Sequence, residues 1–459
     1  MIIAKYYIYN FFSKLFPSKL LRKKAEKYAR KVFQLTYKNS GKSVKINLNL
    51  KKRNVLIVGR LSEWDSLAKH TDFFLNAANY ETTDVYLYRE GADKLFQIDS
   101  ERNLFEKVAC PIFALDTSDF NMLIYTSPLT HNAITALDWR DAEYIKKAFP
   151  KRWAKLNFAY SVWDGTVCPP KWVEIINAFF DAVFVPMEHL AEAMVSSGVK
   201  KPVFKLLNSF NYSIFLTDER HSVNTPFVFG WNGTLEDRKN VFKVASAFVK
   251  AFGNNPAVRL HLHTRYNVTS KNDKKYTDFI NLVTPYENIV FDNTCLSVSD
   301  NINLMKSYDA YVYPSMGEGY SVTPREALAA GHALILSDIK THKTITDLNA
   351  NDGVFWIKAD KPVTIRQLDQ DLGFMYDVDE DELAQAMLEL YRNRNSLYTP
   401  EEIKKRKKSA EAYDAKNTLA YFKTVLEIKN MQLTSENKIG KDLICTNDET
   451  LFLKWKEII

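Results

Sequence analysis

The chain of 459 residues is long enough for two to three domain-sized units, and its 46% hydrophobic and 25% charged residues are typical of a globular protein. Four cysteines lie far apart, with no CxxC motif and no Cys/His pair at zinc spacing, which indicates reduced thiols of a cytosolic protein. The net charge of +7 is concentrated in one N-terminal segment, which argues against nucleic-acid binding along a folded surface.

Residues 1–53 form a basic N-terminal extension. They contain fifteen lysines and arginines and one acid, so this segment carries +14 and the remaining residues −7. The apolar run from Ile2 to Phe12 is interrupted by Lys5 and Asn10, so it is too short to span a bilayer and does not resemble a signal peptide. Two alternatives stay open: a peripheral anchor on the anionic inner face of the membrane, or a helix packed on the protein with its lysines solvated.

From residue 54 onward, apolar runs of strand length alternate with longer helical patterns, which predicts parallel α/β sheets. A polar linker at 217–225 separates two series of such runs. We therefore expect two Rossmann-like lobes whose sheets face a central cleft, because loops at the carboxyl ends of parallel strands form the ligand sites of such folds. The predicted strands are 55–58, 84–88, 122–125, 182–185 and 203–207, then 227–230, 258–262, 288–291, 310–313, 333–336 and 354–357.

Residues 314–338 carry the most specific pattern of the chain. Glu318 and Glu326 stand there with seven residues between them, in a loop and the predicted helix that follows it. Thr323 and Glu326 have the spacing of a capping box, and Gly331 suits the C-terminal cap of that helix. Strand, loop, short helix and strand in this order direct free backbone N–H groups at an anion, which we expect to be a phosphate.

This segment resembles the nucleotide-sugar site of the family-4 glycosyltransferases of the GT-B fold. The shared motif comprises Pro314-Ser315, Glu318-Gly319 and the run from Glu326 to Gly331, in the same register. The resemblance covers most of residues 54–430, and in the first half it includes Tyr160 to Asp164. Taken singly, Glu318 would fit an exposed loop acid and Glu326 half of a capping box, whereas the pair beside two glycines favours a donor site.

The resemblance implies a role for each acid of the motif. Glu318 would hydrogen-bond the hydroxyls of the donor sugar, and Glu326 would hold the ribose of the nucleotide. Backbone N–H groups would contact phosphate or sugar at Gly319, Tyr320, Ser321 and Val322.

Without a metal, the positive charge that stabilises a leaving diphosphate must come from lysine or arginine. Lys239 occupies the position of the family's donor-phosphate lysine. The family often has an arginine five positions earlier, where this chain has Thr234. Arg238 is a candidate substitute, although neighbouring residues on a helix diverge by about 100°. The alternative for Arg238 and Lys239 is a solvated helix start.

Acidic pairs at 369–371 and 377–379 match a metal-binding pattern that is common by chance, and Asp379 fits a helix start better. We therefore expect no metal and no cofactor, with the nucleotide sugar as a substrate. His131 and Asp164 are candidates for the acceptor side, although a lone histidine or aspartate in a loop is more often structural.

Together these observations predict four segments and one function. The segments are the basic extension (1–53), an acceptor-side lobe (54–216), a nucleotide-sugar-binding lobe (217–403) and C-terminal helices that partly cross back to the first lobe (404–459). The predicted function is a retaining, metal-independent transfer of a sugar to a glycan or lipid-linked acceptor. The alternatives are a sugar-nucleotide epimerase or phosphorylase on the same fold, and a non-catalytic glycan- or nucleotide-binding module.

Overall fold

The computed structural model describes residues 43–61, 66–126, 149–206, 212–216, 223–264, 274–345, 353–367, 370–411, 414 and 444–445. Most of the basic extension and the candidate His131 lie outside the described residues. The described residues form two lobes, each built on one large sheet.

The first lobe contains a nine-stranded sheet and a small parallel pair. Its strands are β1 (Val44–Lys45), β2 (Arg53–Gly59), β3 (Thr83–Arg89), β4 (Lys94–Ile98), β5 (Leu104–Ala109), β6 (Leu115–Asp116), β7 (Met122–Tyr125), β8 (Leu156–Tyr160), β9 (Ala182–Val185) and β10 (Val203–Lys205). The helices up to residue 216 are α1 (Ser66–Ala77), α2 (Pro170–Phe179), α3 (Glu188–Ser196) and α4 (Ser213–Leu216).

The central strand β2 of the first sheet is buried on both faces, as expected for parallel strands that helices cover. Val55 and Ile57 pack into the core that includes Phe74 of α1, while Leu56 and Val58 pack into the core on the other face. At one edge, β4 and β5 continue the sheet by antiparallel pairing. The sequence did not predict these two strands, because charged and polar residues interrupt them and they form no apolar run of strand length.

The last residues of the predicted extension belong to the first lobe. Strand β1 pairs with β6, and the side chains of Val44, Ile46 and Leu48 pack against the core. The described part of the extension is therefore docked on the protein.

The second lobe is built on six parallel strands. These are β11 (Phe227–Asn232), β12 (Val258–His263), β13 (Ile289–Asp292), β14 (Ala310–Tyr313), β15 (Ala333–Ser337) and β16 (Val354–Ile357). The helices are α5 (Val241–Phe252), α6 (Lys274–Val283), α7 (Val298–Ser307), α8 (Val322–Ala329), α9 (Lys340–Lys343), α10 (Glu380–Arg392), α11 (Arg394–Leu397) and α12 (Pro400–Glu411).

The strand order of the second sheet is β13-β12-β11-β14-β15-β16. This is the order of a Rossmann fold, in which the direction of strand succession reverses between the first and the fourth strand, here β11 and β14. All eleven predicted strands overlap strands of the two sheets, so the predicted α/β class with two Rossmann-like lobes is confirmed.

A hairpin that the sequence did not predict follows β16. It consists of β17 (Ala359–Gln367) and β18 (Gln370–Val378), which pair with each other and with no strand of the large sheets among the described residues. The hairpin contacts both lobes: the N–H of Tyr376 donates to the carbonyl of Met316 over 2.9 Å, and the N–H of Phe374 donates to Thr166 Oγ1 over 3.1 Å.

The predicted capping box of α8 is wrong, whereas the predicted C-terminal cap is present. The helix begins at Val322, Ser321 precedes it with a φ of 61°, and no side chain caps it, so Thr323 lies inside the first turn. At the other end, Gly331 has a φ of 87° and its N–H donates to the carbonyl of Leu328. The N–H of His332 donates to the carbonyl of Ala327, and the two bonds together form a Schellman motif.

The C-terminal part of the chain contacts both lobes. Helix α12 packs against α8, and the N–H of Tyr212 donates to Asp414 Oδ2 over 3.0 Å. Strand β19 (Ile444–Cys445) pairs antiparallel with β10 at the edge of the first sheet. Helix α12 begins at Pro400, four residues before the predicted C-terminal segment of 404–459. That segment also includes a strand, β19. The predicted domain boundaries remain predictions.

Candidate active site

The polar residues singled out in the second lobe converge at the carboxyl ends of β11 and β14. These are the neighbouring strands between which the strand order reverses, where open α/β sheets bind ligands. The loop after β11 contains a 3-10 turn at Asp237–Lys239, and the loop after β14 carries Glu318. The fold thus brings Glu318 to Arg238, from which it is separated by 80 positions in the sequence.

One carboxylate oxygen, Oε1 of Glu318, accepts hydrogen bonds from four side chains. Arg238 Nη1 donates to it over 2.8 Å and Ser315 Oγ over 2.7 Å. Tyr313 Oη donates over 3.3 Å, and Lys239 Nζ is the fourth donor. The Glu318 side chain is only 8% exposed, so this arrangement holds a buried carboxylate in one orientation.

The two cations keep Glu318 ionised. Burial would raise the pKa of Glu318, but the charges of Arg238 and Lys239 outweigh burial and lower the pKa to about 2. Burial lowers the pKa of Lys239, while the carboxylate of Glu318 opposes that shift. Glu318 is therefore a hydrogen-bond acceptor at neutral pH and has no proton to give as a general acid.

Arg238 and Lys239 both donate to the carboxylate of Glu318, although the sequence analysis expected the side chains of these neighbours to diverge. The sequence argument assumed an α-helix, whereas α5 begins only at Val241. Asn240 before it has a left-handed φ of 55°, which ends the 3-10 turn that carries both cations. Two long side chains on this turn reach one acceptor, so the alternative of a solvated helix start does not describe them.

Glu326 lies on α8 and is bonded to the first lobe. Lys69 Nζ, on α1, donates to Glu326 Oε1 over 2.8 Å. The sequence analysis missed Lys69, because it lies in no motif and approaches the site only through the placement of the two lobes. No side chain caps the start of helix α8, so the capping role that competed for Glu326 does not describe it.

The loop from 317 to 322 is tightly packed between the lobes. A Cβ atom at Gly317 would lie 2.4 Å from the carbonyl oxygen of Asp164, so glycine is required for this close approach. Tyr320 and Ser321 are buried, and Ser321 has the left-handed backbone conformation that is uncommon for residues other than glycine. Such an outlier beside candidate site residues is typical of functional loops.

Asp164 of the first lobe reaches this loop. Its Oδ1 accepts a hydrogen bond from the N–H of Gly319 over 3.0 Å, and its Oδ2 lies 3.4 Å from Arg238 Nε. Burial raises the pKa of Asp164, the charge of Arg238 opposes this shift, and Glu318 adds to it. The acceptor-side candidate Asp164 thus lies beside the candidate donor site, whereas His131 is outside the described residues.

Two acids of the pairs in 369–379, Asp377 and Asp379, have partners within the second lobe. Asp377 accepts from Asn240 over 2.8 Å and pairs with Lys243, and Asp379 caps α10 by accepting from the N–H groups of its first turn, as predicted. Within the described residues, no group of three or more histidine, cysteine, aspartate or glutamate side chains has the arrangement of a metal site. The described helices include none with the length and hydropathy needed to cross a bilayer.

Comparisons with known proteins define the class of fold. Neither the family models nor the curated proteins gave a match. Among solved structures, sucrose-phosphate synthase from Thermosynechococcus elongatus has a TM-score of 0.60 at 10% identity, over 82% of this chain and 98% of that chain. HepE from Anabaena, solved with UDP and glucose, has a TM-score of 0.56 at 11% identity, over 82% of this chain and 99% of that chain.

A third similar structure is a variant of TarM from S. aureus, solved with fondaparinux, alpha-GlcNAc-glycerol and UDP. Its TM-score is 0.50 at 14% identity, over 73% of this chain and 62% of that chain, so the match spans less than two thirds of TarM. These likenesses establish the fold: the chain has the GT-B fold of two Rossmann-like lobes.

Proposed function

We propose that this protein is a retaining, metal-independent glycosyltransferase of family 4, which transfers a sugar from a nucleotide-sugar donor to a glycan or lipid-linked acceptor. The observation that carries the proposal is the convergence of Glu318, Arg238 and Lys239 at the strand-order reversal of a GT-B fold. An ionised carboxylate suits the hydroxyls of a sugar, and two cations suit the diphosphate attached to it. HepE, which shares the fold, has been solved with UDP-glucose.

In this proposal, Arg238 and Lys239 bind the diphosphate and stabilise the charge that it gains as the bond to the sugar breaks. Preorganised cations of this kind commonly contribute on the order of 3 kcal/mol to the transition state. Glu318 holds the sugar hydroxyls, and Glu326 holds the ribose. The backbone N–H groups from Gly319 to Val322 contact phosphate or sugar.

Retention of configuration follows from attack on the face that the diphosphate leaves. The acceptor oxygen forms a bond to the anomeric carbon as the bond from that carbon to the phosphate oxygen breaks. The acceptor proton moves to the departing phosphate, so no protein carboxylate is needed as a nucleophile. Glu318 does not suit that role, since four side chains already bond its Oε1.

A panel of sugar nucleotides tests the activity. The cognate donor should raise the melting temperature of the protein, because a ligand that binds the native state stabilises it. With that donor and a glycan or glycolipid acceptor, NMR of the product should show the anomeric configuration of the donor. Conversion of the donor without any acceptor would favour the epimerase, whereas formation of a sugar phosphate from inorganic phosphate would favour the phosphorylase. Donor binding without any conversion would favour the non-catalytic module.

For localisation, we propose that residues 1–42 bind the cytoplasmic face of an anionic membrane, where a lipid-linked acceptor would be available. The motivation is the concentration of basic residues in 1–53 beside an aromatic run. Each basic residue near an anionic surface contributes about 1 kcal/mol, reduced by salt.

Liposome co-sedimentation tests this localisation. The truncation must end at residue 42, because Val44, Ile46 and Leu48 pack on the first lobe. The full chain should bind vesicles that contain phosphatidylserine at low salt, and removal of 1–42 should abolish this binding. Equal binding by both forms, or none by the full chain, would contradict the membrane proposal and leave the transferase proposal intact.

A further inference from the structure

Asp164 holds the position of an anion in the candidate donor site. Its two carboxylate oxygens contact the N–H of Gly319 at 3.0 Å and Nε of Arg238 at 3.4 Å, both in the second lobe. A backbone N–H group near the start of a helix and a guanidinium are groups with which proteins hold phosphate. In the proposed function, the N–H of Gly319 and the guanidinium of Arg238 bind the donor diphosphate. In this structure, a carboxylate of the first lobe contacts both groups instead.

The positive charge of this cluster is already compensated without a ligand. Arg238 and Lys239 face the carboxylates of Glu318 and Asp164, and the carboxylate of Glu236, which is 54% exposed, lies 3.6 Å from Arg238. Entry of a diphosphate with both carboxylates in place would leave a surplus of negative charge in a partly buried site, which is costly. Because the exposed Glu236 is solvated, one of the other two acids must withdraw when the diphosphate binds.

Asp164 is the acid that can withdraw. The Glu318 side chain is 8% exposed and four side chains bond it, whereas the Asp164 side chain is 39% exposed. The surrounding loop is fixed, since Thr166 accepts the N–H of Phe374 and a Cβ at Gly165 would lie 2.4 Å from Ile365 Cδ1.

We propose that Asp164 is a displaceable latch: in the ligand-free protein it occupies the anion position formed by Gly319 and Arg238, and the diphosphate of the nucleotide displaces it. This inference rests on the proposed function and adds a regulatory contact between the lobes. Because the loop stays docked on the β17–β18 hairpin, the displacement is a rotation of the Asp164 side chain. Nucleotide binding thereby breaks both contacts of Asp164 with the second lobe and frees a carboxylate in the cleft.

Isothermal titration with UDP and with inorganic pyrophosphate tests the latch. Asp164→Asn and Asp164→Ala should each bind these ligands about tenfold more tightly than the wild type, because no carboxylate competes for the site. The matched control is Glu192→Gln, which removes another bond between the lobes, the 3.0 Å pair with Lys340, away from Arg238. This control should leave the affinity unchanged.

Equal or weaker binding by both Asp164 variants, with clear binding by the wild type, overturns the latch and leaves the proposed function standing. If neither the wild type nor any variant binds pyrophosphate, UDP or another nucleoside diphosphate, the proposed function fails and the latch with it. The two failures are therefore distinguishable.

A crystal structure of the full chain with UDP separates displacement from simple charge repulsion. The latch requires a phosphate oxygen on the N–H of Gly319 and the carboxylate of Asp164 beyond hydrogen-bond distance from that N–H. A bound diphosphate with the bond from Gly319 to Asp164 intact overturns the proposal, even if the Asp164 variants bind more tightly.

Discussion

The two glutamates of the motif are held by different parts of the molecule. Glu318 is bonded within the second lobe, by Arg238 and Lys239 from the neighbouring loop and by side chains of its own loop. Glu326 is bonded across the cleft, by Lys69 of the first lobe. The side chains that bond Glu318 thus all belong to one lobe, whereas the bond to Glu326 depends on how the two lobes are placed.

The largest effect should follow from breaking the Glu318 cluster. Glu318→Gln and Lys239→Ala should each lower the transfer rate about a hundredfold, or roughly 3 kcal/mol in the transition state, because each removes a preorganised charge. Circular dichroism should show an unchanged fold. Glu236→Gln is the matched control, since Glu236 lies 3.6 Å from Arg238 but is 54% exposed. Near-wild-type turnover of either cluster variant would refute the site assignment.

A pH-dependent loss of stability should come from the histidine behind this cluster. His342 is fully buried, its Nδ1 lies 3.0 Å from the carbonyl oxygen of Ser337, and its ring lies 6.0 Å from that of Tyr313. Burial lowers the pKa of His342 from 6.5 to about 4, so the unfolded chain binds more protons between these values. Above pH 6.5, the protonation of His342 does not reduce the free energy of unfolding. As the pH falls from 6.5 toward 4, that free energy falls by up to about 1.4 kcal/mol per pH unit.

Denaturant unfolding between pH 7.5 and 4.5 measures this effect. His342→Gln should flatten the acid side of the stability curve relative to the wild type, whatever its stability at pH 7.5. Parallel curves over the whole range would show that His342 does not titrate as its burial requires.

A smaller effect should separate the two glutamates. Glu326→Ala should weaken donor binding about tenfold, the cost of one hydrogen bond to a charged group. Its melting temperature should fall only slightly, because the helix has no capping box to lose and the Lys69 side chain that pairs with the buried Glu326 is 38% exposed, which weakens the ion pair. Lys69→Gln is the control: it removes the same ion pair but keeps the carboxylate. Normal donor binding with lowered stability in Glu326→Ala would favour a structural role.

The smallest expected effect is that of a chelator. Since Arg238 and Lys239 supply the positive charge in the proposed mechanism, transfer should persist in excess EDTA. A strict requirement for magnesium or manganese, restored by re-addition, would contradict the proposal and redirect attention to the acids on β18, Asp371 and Asp377.

Much of the fold could be predicted from the sequence because its signals are local. Most buried parallel strands contain a short apolar run, and the loop with Glu318 follows such a run directly. Strand β8, which Asn157 interrupts, was not predicted. The capping box failed although it is local, because the packed loop sets Ser321 in a left-handed conformation and the helix starts at Val322. Tertiary packing overrode the capping pattern there.

The contacts between the lobes could not be predicted from the sequence. Lys69 meets Glu326 across 257 positions of sequence, and Asp164 meets Gly319 across 155, so neither pair leaves a spacing signal. The β17–β18 hairpin was missed because its strands are rich in charged and polar residues. These features depend on where the lobes come together, which single-sequence patterns do not encode.

The pairing of β19 with β10 has a consequence for how the protein is made. During translation, the first lobe emerges from the ribosome long before residues 444–445. The outer edge of β10 therefore stays without its partner β19 until the second lobe has also emerged. An uncovered strand edge is a template for pairing with other chains. We therefore expect truncated translation products to associate more readily than the full chain, and the closing step of folding to be the slow, long-range capture of the last strand.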